Sequence, residues 1–286
     1  MKRLDRSLRS QILHLLCEGN SIRATGRITG ASKTTVTKLL VDAGQAAAWY
    51  QDRVFRSLEC QRVQIDEIWG FVGAKQKNVP KEKKGEAGDI WVWVATDADT
   101  KLVPQWRVGP RDLKSCAWFI AGLAERVEGH FQLTSDAFHI YGGAVEGFLG
   151  KRVDYAQVIK VFGTDSGNQG RYSPPTCIGC RTKKVIGNPD EKHISTSYAE
   201  RNNLNIRMHQ RRMTRLTNAF SKKVENHAHA MALHFLYYNF VRVHQTLKMT
   251  PAMAAGVTRR LWEMGDVVDM LEAWEAAVVR QSLGIK

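Results

Sequence analysis

One stretch of the sequence, residues 63–69, reads Val63-Gln64-Ile65-Asp66-Glu67-Ile68-Trp69. Its β-branched and aromatic residues are typical of a strand, and strand alternation puts Gln64, Asp66 and Ile68 on one face. Burying a lone carboxylate is costly, so Asp66 needs a metal ion, a cation or an opening at the sheet edge. The simpler interpretation, that Asp66 ends the strand in solvent, depends on what the rest of the chain supplies.

The composition indicates a nucleic-acid partner. The 286 residues include 42 Lys and Arg against 28 Asp and Glu, a formal net charge of +14. Such a charge predicts attraction to a polyanion, and nucleic acid is preferred over a membrane surface. The length fits one large domain with a small additional one, and 43% hydrophobic residues suffice for a packed core.

The same composition bears on location. Five cysteines, an odd number, favour a reduced cytoplasmic protein over a disulfide framework. The charged start is followed by no uninterrupted apolar run of a signal peptide, and no window approaches eighteen apolar residues. We therefore expect no membrane partner.

Residues 1–45 are predicted to form three helices with a tight turn before the third. Ser32 is a good N-cap for a helix from Lys33 to Ala43, which Gly44 is placed to end. This layout is typical of a helix-turn-helix, whose second helix enters the major groove of DNA. A bundle used only for packing is the alternative, but the local excess of basic residues favours DNA. The predicted DNA-binding residues here are Lys33, Thr34, Thr37 and Lys38.

After a linker over residues 46–60, residues 61–223 are predicted to form an α/β domain with a mixed sheet flanked by helices. Three successive strands are followed by alternating helices and strands. Pro104 indicates that the third strand, Leu102 to Val108, lies at an edge or carries a bulge. Asp136 ends the strand Phe131–Asp136, and open α/β sheets place their working residues at such strand ends.

Residues 162–195, rich in Gly and Pro, are predicted to be a loop insertion in this domain. The insertion contains Cys177 and Cys180, half of a zinc knuckle, with His193 as the other local soft ligand. Because no second cysteine pair lies within reach, a zinc site is poorly supported.

A long helix is predicted to begin after Ser195-Thr196-Ser197 and to run toward Lys223, before a C-terminal helical region over residues 224–286. It carries Glu200 in its first turns and many cations after it. Arg207 lies two turns beyond Glu200 on the same face. Glu200 could instead only favour the positive end of the helix dipole.

Three acids from separate elements, Asp66, Asp136 and Glu200, are the candidate metal ligands and catalytic residues. Converging carboxylates supply the hard oxygen ligands that Mg²⁺ prefers, and Mn²⁺ is a possible substitute. Two such ions can activate an oxygen nucleophile and stabilise the leaving oxygen of a phosphodiester. No protein nucleophile is then required.

Several motifs occur in order along nearly the whole chain, and together they resemble the insertion-sequence-one family of bacterial DDE transposases. Beside residues 63–69 and Leu133-Thr134-Ser135-Asp136, they are residues 195–203, residues 215–223 and Tyr238-Asn239-Phe240. The resemblance implies a ribonuclease-H-like catalytic fold in which Asp66, Asp136 and Glu200 hold the metals.

The resemblance also implies the partners. The N-terminal domain would bind the terminal inverted repeats of the element, and Arg207 would contact a DNA phosphate. Double-stranded DNA, as element ends and target, would be held by a homodimer or a larger synaptic assembly associated with the nucleoid. The cation-rich helix would track the DNA backbone, with Arg211 and Arg215 among its contacts.

Three other functions remain open at this point. A decayed or domesticated copy would bind DNA as a repressor, and a ribonuclease-H-type nuclease would cleave without strand transfer. A tyrosine recombinase is less favoured: His209 and Arg212 match a short His-x-x-Arg pattern upstream of Tyr237 and Tyr238. Such short patterns recur by chance, and that chemistry does not need the acids.

Overall fold

The computed structural model describes residues 4–163 and 177–283, and its centre is a six-stranded sheet. The strands are β1 (Arg62–Val72), β2 (Gly88–Asp97), β3 (Gln105–Gly109), β4 (Phe131–Asp136), β5 (Val153–Phe162) and β6 (Cys177–Ile186). Their order is β3-β2-β1-β4-β5-β6. The β1–β4 and β4–β5 pairs are parallel, and the other pairs are antiparallel. The predicted mixed sheet is confirmed.

Helices pack on this sheet and beside it. They are α1 (Arg6–Cys17), α2 (Ile22–Thr29), α3 (Lys33–Val54), α4 (Leu113–Arg126), α5 (Tyr141–Phe148), α6 (Ser197–His209), α7 (Val224–Leu236), α8 (Pro251–Ala254) and α9 (Met264–Ser282). None of the helices within the described ranges is long and apolar enough to cross a bilayer.

The two faces of β1 and β2 are covered by different helices. Ile68, Val92 and Val94 pack against Ile206 of α6 and Phe235 of α7. On the other face, the larger core receives the side chains of β1, β2, α4 and α5, including Ile65, Trp93, Phe119 and Tyr141. Strand β2 is almost continuously apolar, as a strand buried on both faces must be, whereas β1 carries Gln64, Asp66 and Glu67 in its middle.

The N-terminal and C-terminal helices share one core. Helix α3 packs along α7 and α9, and α1 packs along α9. An ion pair joins Arg6 to Asp269 at 2.8 Å, and another joins Arg9 to Glu272. The predicted start of α3 is confirmed, because Ser32 accepts a hydrogen bond from the Thr35 amide at 3.1 Å.

The predicted end of that helix at Gly44 is wrong, because α3 continues to Val54 through the region predicted as a linker. Gly44 serves close packing here. A Cβ atom at this position would lie 2.4 Å from the backbone oxygen of His229 in α7. The missing side chain lets the two helices approach each other.

The predicted loop insertion also contains regular structure. Residues 177–186 form β6, whose side chains are almost all exposed, and the strand pairs with β5. The strand is held by backbone hydrogen bonds to β5 and buries almost no side chains. Its sequence therefore lacks the apolar alternation on which the prediction relied. Part of the insertion, residues 164–176, lies outside the described residues.

Two further elements differ from their predicted bounds. The third strand begins at Gln105, after Pro104, and it forms one edge of the described sheet. The long cationic helix ends at His209, because Gln210 leaves the helical conformation with φ −98° and ψ 101°. The Gln210 side chain instead donates to the backbone oxygen of Ala230 at 2.9 Å.

A buried amide explains why Val103 does not extend β3. The fully buried Asn239 accepts from the Val103 amide at 3.0 Å and donates to the Val103 carbonyl at 3.1 Å. It also donates to the side chain of Gln51 in α3 at 3.4 Å. One side chain thus connects α3, the sheet and the turn after α7.

We expect Asn239→Ala to lower the free energy of unfolding by about 2–4 kcal/mol, because both backbone groups of Val103 lose their partner in the interior. Denaturant titration measures this loss. Asn78→Ala, at an exposed site, is the matched control and should change stability by less than about 0.5 kcal/mol. Equal losses in the two variants would contradict this role of Asn239.

A second buried group makes stability depend on pH. Burial, with Arg212 nearby, lowers the pKa of His227 to about 4, whereas an unfolded histidine titrates near about 6.5. Between these pH values His227 is protonated in the unfolded chain but not in the folded one. Its contribution to the free energy of unfolding is therefore fully present above pH 6.5 and is lost as the pH falls. The Nδ1 atom of His227 shares a hydrogen bond with the Ser221 hydroxyl at 2.9 Å.

We expect the His227 contribution to cost the wild type about 2 kcal/mol of unfolding free energy between pH 7 and pH 5. The His227→Gln variant should lose correspondingly less over this range, although it starts from a lower stability. Urea titrations at both pH values measure the difference. His139→Gln, at an exposed ring, is the control and should lose as much as the wild type. A full loss in His227→Gln would sink the assignment.

Candidate active site

Three carboxylates meet where β1 and β4 lie side by side. Ile65 pairs with Ser135 in the parallel ladder, so the next residues, Asp66 and Asp136, are level on adjacent strands. One carboxylate oxygen from each of Asp66, Glu67 and Asp136 lies within 4.8 Å of the others. The structure therefore brings together two of the three acids predicted from the sequence and adds Glu67.

Asp66 is the centre of this cluster. Its Oδ1 accepts from the Glu67 amide and its Oδ2 from the Asn203 side chain, both at 2.8 Å. Burial, followed by the negative charges of Glu67 and Asp136, raises the pKa of Asp66 to about 7. The crowded negative charge makes a cation favourable at this position.

Glu67 was missed at the sequence level. Its side chain is 1% exposed and is paired with Arg111 at 2.5 Å, and Tyr141 donates to its other oxygen, also at 2.5 Å. Burial raises the pKa of Glu67, and the hydrogen bonds from Tyr141 and Arg111 oppose that effect. Alternation places Glu67 on the face opposite Asp66, and only its adjacency to Asp66 in sequence could have indicated it.

Helix α6 is fixed to the face of β1 that carries both Gln64 and Asp66, two residues that strand alternation predicted to share one face. The Gln64 side chain accepts from the amides of Tyr198 and Ala199 at 2.8 and 3.2 Å. It therefore caps the start of α6. Asn203, one helical turn after Glu200, reaches Asp66 from the same helix.

Glu200 lies beside the cluster with partners of its own. Its Oε1 accepts from Lys160 of β5 at 2.7 Å and from the Thr196 hydroxyl at 2.6 Å. Burial alone would raise the pKa of Glu200, but these two hydrogen bonds lower it. The charge of Glu200 still contributes to the raised pKa of Asp66. Lys160 thus neutralises the carboxylate that was predicted to be the third ligand.

The donor set fits a hard divalent cation, since the clustered groups are carboxylate oxygens only. Asp66 and Asp136 each keep oxygen lone pairs available at the place where the two strands lie side by side. Arg111 and Tyr141 donate hydrogen bonds to Glu67. Glu67 is therefore better suited to orienting Asp66 and Asp136 than to giving up these bonds and becoming a metal ligand. Mg²⁺ or Mn²⁺ would be held by Asp66 and Asp136 first.

The predicted DNA-binding residues fall in two places. Lys33, Thr34 and Lys38 are exposed on α3, with Thr37 half-buried, and Lys38 is paired with Asp42. Arg211 and Arg215 follow the end of α6, and Arg215 is exposed. Lys33, Thr37 and Arg211 line one and the same cavity. Two segments far apart in sequence therefore form one surface.

Arg207 has different partners from those expected. Its guanidinium donates to the backbone oxygens of Trp69 and Met213, both at 2.9 Å. Burial, with Arg215 nearby, lowers its pKa to about 10. In this structure Arg207 fastens α6 to β1, so most of its hydrogen-bonding capacity is already used.

Cys177 and Cys180 are free and exposed on β6. Across residues 4–163 and 177–283, the Asp66, Glu67 and Asp136 cluster is the only group of three or more His, Cys, Asp or Glu side chains close enough to share a metal. The two cysteines therefore find no third ligand among the described residues.

Comparison with known proteins identifies a distant relative and structural alignments of low similarity. No family model matches the chain. The InsB protein of the insertion element iso-IS1n from Shigella dysenteriae is 29% identical over 164 residues, which are 57% of this chain and 86% of that protein.

The cryo-EM structure of the piggyBac transposase synaptic complex with hairpin DNA aligns with 79% of this chain at 11% identity, with a TM-score of 0.29. The chain spans about half, 54%, of the piggyBac chain. A score this low is no evidence of a shared fold. What the comparisons support is a distant similarity to an insertion-element protein.

Proposed function

We propose that the chain is a DNA transposase that binds the terminal inverted repeats of an insertion sequence and catalyses metal-dependent strand cleavage and strand transfer. The observation that carries the proposal is the meeting of Asp66, Glu67 and Asp136 on adjoining strands. The distant similarity to an insertion-element protein and the net charge of +14 support a DNA substrate.

The topology supports the ribonuclease-H-like fold that the sequence motifs imply for residues 61–223. In chain order, three antiparallel strands (β1–β3) are followed by two parallel ones (β4 and β5). Strand β1 joins the two groups, because it pairs with both β2 and β4. We further propose that the helix-turn-helix over residues 1–45 reads the element ends through α3. A homodimer or larger assembly would pair those ends.

In the proposed mechanism, each side chain has a distinct task. Bound Mg²⁺ or Mn²⁺ would supply the positive charge that a phosphodiester displacement requires. Asp66 and Asp136 would hold the cation, while Arg111 and Tyr141 keep Glu67 fixed behind them. Asn203 orients the Asp66 carboxylate, and Glu200 of α6 would complete the ligand set. Lys160 would then be free to approach the DNA phosphate.

We expect Mg²⁺-dependent cleavage and joining of labelled DNA that carries the element ends. Asp66→Asn and Asp136→Asn should each reduce cleavage by about 1,000-fold, because each removes several kcal/mol of charge stabilisation. Glu200→Gln should also reduce cleavage. Gel analysis of single-turnover reactions, with DNA binding measured in parallel, checks this. Glu146→Gln, at an exposed carboxylate, is the control and should be unaffected.

The products separate the alternatives. Joined DNA identifies a transposase, and cleavage without joining identifies a nuclease. Binding without cleavage by the wild type would favour a repressor. Full activity in the Asp66 and Asp136 variants would remove the acids from the mechanism.

A further inference from the structure

A cleft of about 680 Å³ lies between the N-terminal helices and the segment that joins α6 to α7. Leu16 of α1 and Lys33 of α3 are on one side, and residues 210–212, 218–220 and 222–223 are on the other. None of the four acids of the candidate active site lines it. The cleft is therefore a second site, separate from the candidate active site.

The charged side chains that line this cleft are all cationic. They are Arg23, Lys33, Arg211, Arg212, Lys222 and Lys223. None of the six forms an ion pair with a carboxylate in the part of the chain that the structure describes. Six cations without counter-charges repel one another, so the cleft favours an anionic ligand.

A buried residue in the wall also has unused hydrogen-bonding capacity. His234 lines the cleft and is 4% exposed, yet neither of its ring nitrogens has a hydrogen-bond partner. Burial, with His209 and Arg242 nearby, lowers its pKa to about 3. The neutral ring therefore offers one donor and one acceptor, and buried polar atoms are rarely left without partners.

Arg212 provides a donor that is already held in place. One guanidinium nitrogen donates to the Ser221 hydroxyl at 3.0 Å, while Nη2 is buried and has no partner. Burial lowers its pKa to about 10, so the group is still charged at neutral pH. A fixed guanidinium loses little side-chain entropy when it binds a phosphate oxygen.

The opposite wall belongs to the helix that was predicted to read DNA. Lys33 and Thr37 lie one turn apart on α3, and both line the cleft. A duplex whose major groove receives α3 would bring its backbone toward Arg211, Lys222 and Lys223. Six cations on two walls suit a chain of phosphates better than a single phosphate ion.

We propose that this cleft binds the sugar-phosphate backbone of DNA next to the groove that α3 enters, with Arg212 and His234 donating to phosphate oxygens. This inference rests on the proposed function in one respect, which is that DNA is the ligand. It adds a backbone site that the segment after α6 contributes, away from the catalytic acids. The site would grip DNA independently of base sequence.

The test compares two charge-matched double variants of the full chain. Lys222→Gln with Lys223→Gln removes two exposed cations from the cleft. Lys151→Gln with Arg280→Gln removes two exposed cations elsewhere, from the turn before β5 and from the last turn of α9. Fluorescence anisotropy with a labelled duplex of arbitrary sequence is measured over a range of salt concentrations, without divalent metal.

We expect the slope of log affinity against log salt concentration to fall in magnitude by about 2 in the cleft variant, because two phosphate contacts are lost. The control variant should keep the wild-type slope. Equal slopes in all three proteins would overturn the cleft proposal and leave the proposed function standing. Failure of the wild type to bind any duplex would instead overturn the proposed function.

A polyglutamate competitor separates DNA from an acidic protein partner. If DNA is the ligand, polyglutamate should displace the duplex only at much higher charge concentration. Displacement at equal charge concentration, lost in the cleft variant alone, would show that the cleft accepts acidic protein and would overturn the assignment to DNA.

Discussion

The arrangement of the candidate site depends on a polar interface between β1 and α6. Helix α6 buries few apolar side chains, and Ala199 and Ile206 are the chief ones. Side-chain hydrogen bonds fasten it instead: Gln64 caps its first turn, Asn202 reaches Thr96, Asn203 reaches Asp66, and Arg207 reaches the Trp69 carbonyl. Because these groups must be satisfied together, the helix has one register against the strand. That register is what places Glu200 beside Asp66.

The same interface determines the electrostatics. Burial of Asp66, together with repulsion from Glu67 and Asp136, raises its pKa to about 7. Two positive groups limit the repulsion from opposite faces of the sheet, Arg111 at Glu67 and Lys160 at Glu200. The negative charge that remains unpaired therefore lies at the neighbouring carboxylates of Asp66 and Asp136. A divalent cation between these two carboxylates would relieve the repulsion without displacing Arg111 from Glu67.

Much of this could be predicted from local sequence. The existence of β1, the apolar run of β2, and the bounds of β4 at Phe131 and Asp136 follow from strand patterns. Local patterns could not show long-range packing: Gly44 permits the approach of α7 and does not end a helix. Strand β6 is held by backbone pairing with β5 and leaves its side chains exposed, so its sequence shows no apolar alternation. Glu67 and Lys160 became visible only when the sheet brought their partners together. Domain bounds and the role of each DNA-binding residue stay predictions.

The central claim is that Asp66 and Asp136 form a divalent-cation site at the junction of β1 and β4. The most direct measurement is a crystal structure grown with Mn²⁺, in which anomalous scattering locates the ion. We expect an anomalous peak within coordination distance, about 2.0–2.3 Å, of carboxylate oxygens of both residues. An ion bound elsewhere, with the Asp66 and Asp136 carboxylates left without metal at saturating Mn²⁺, would contradict the claim.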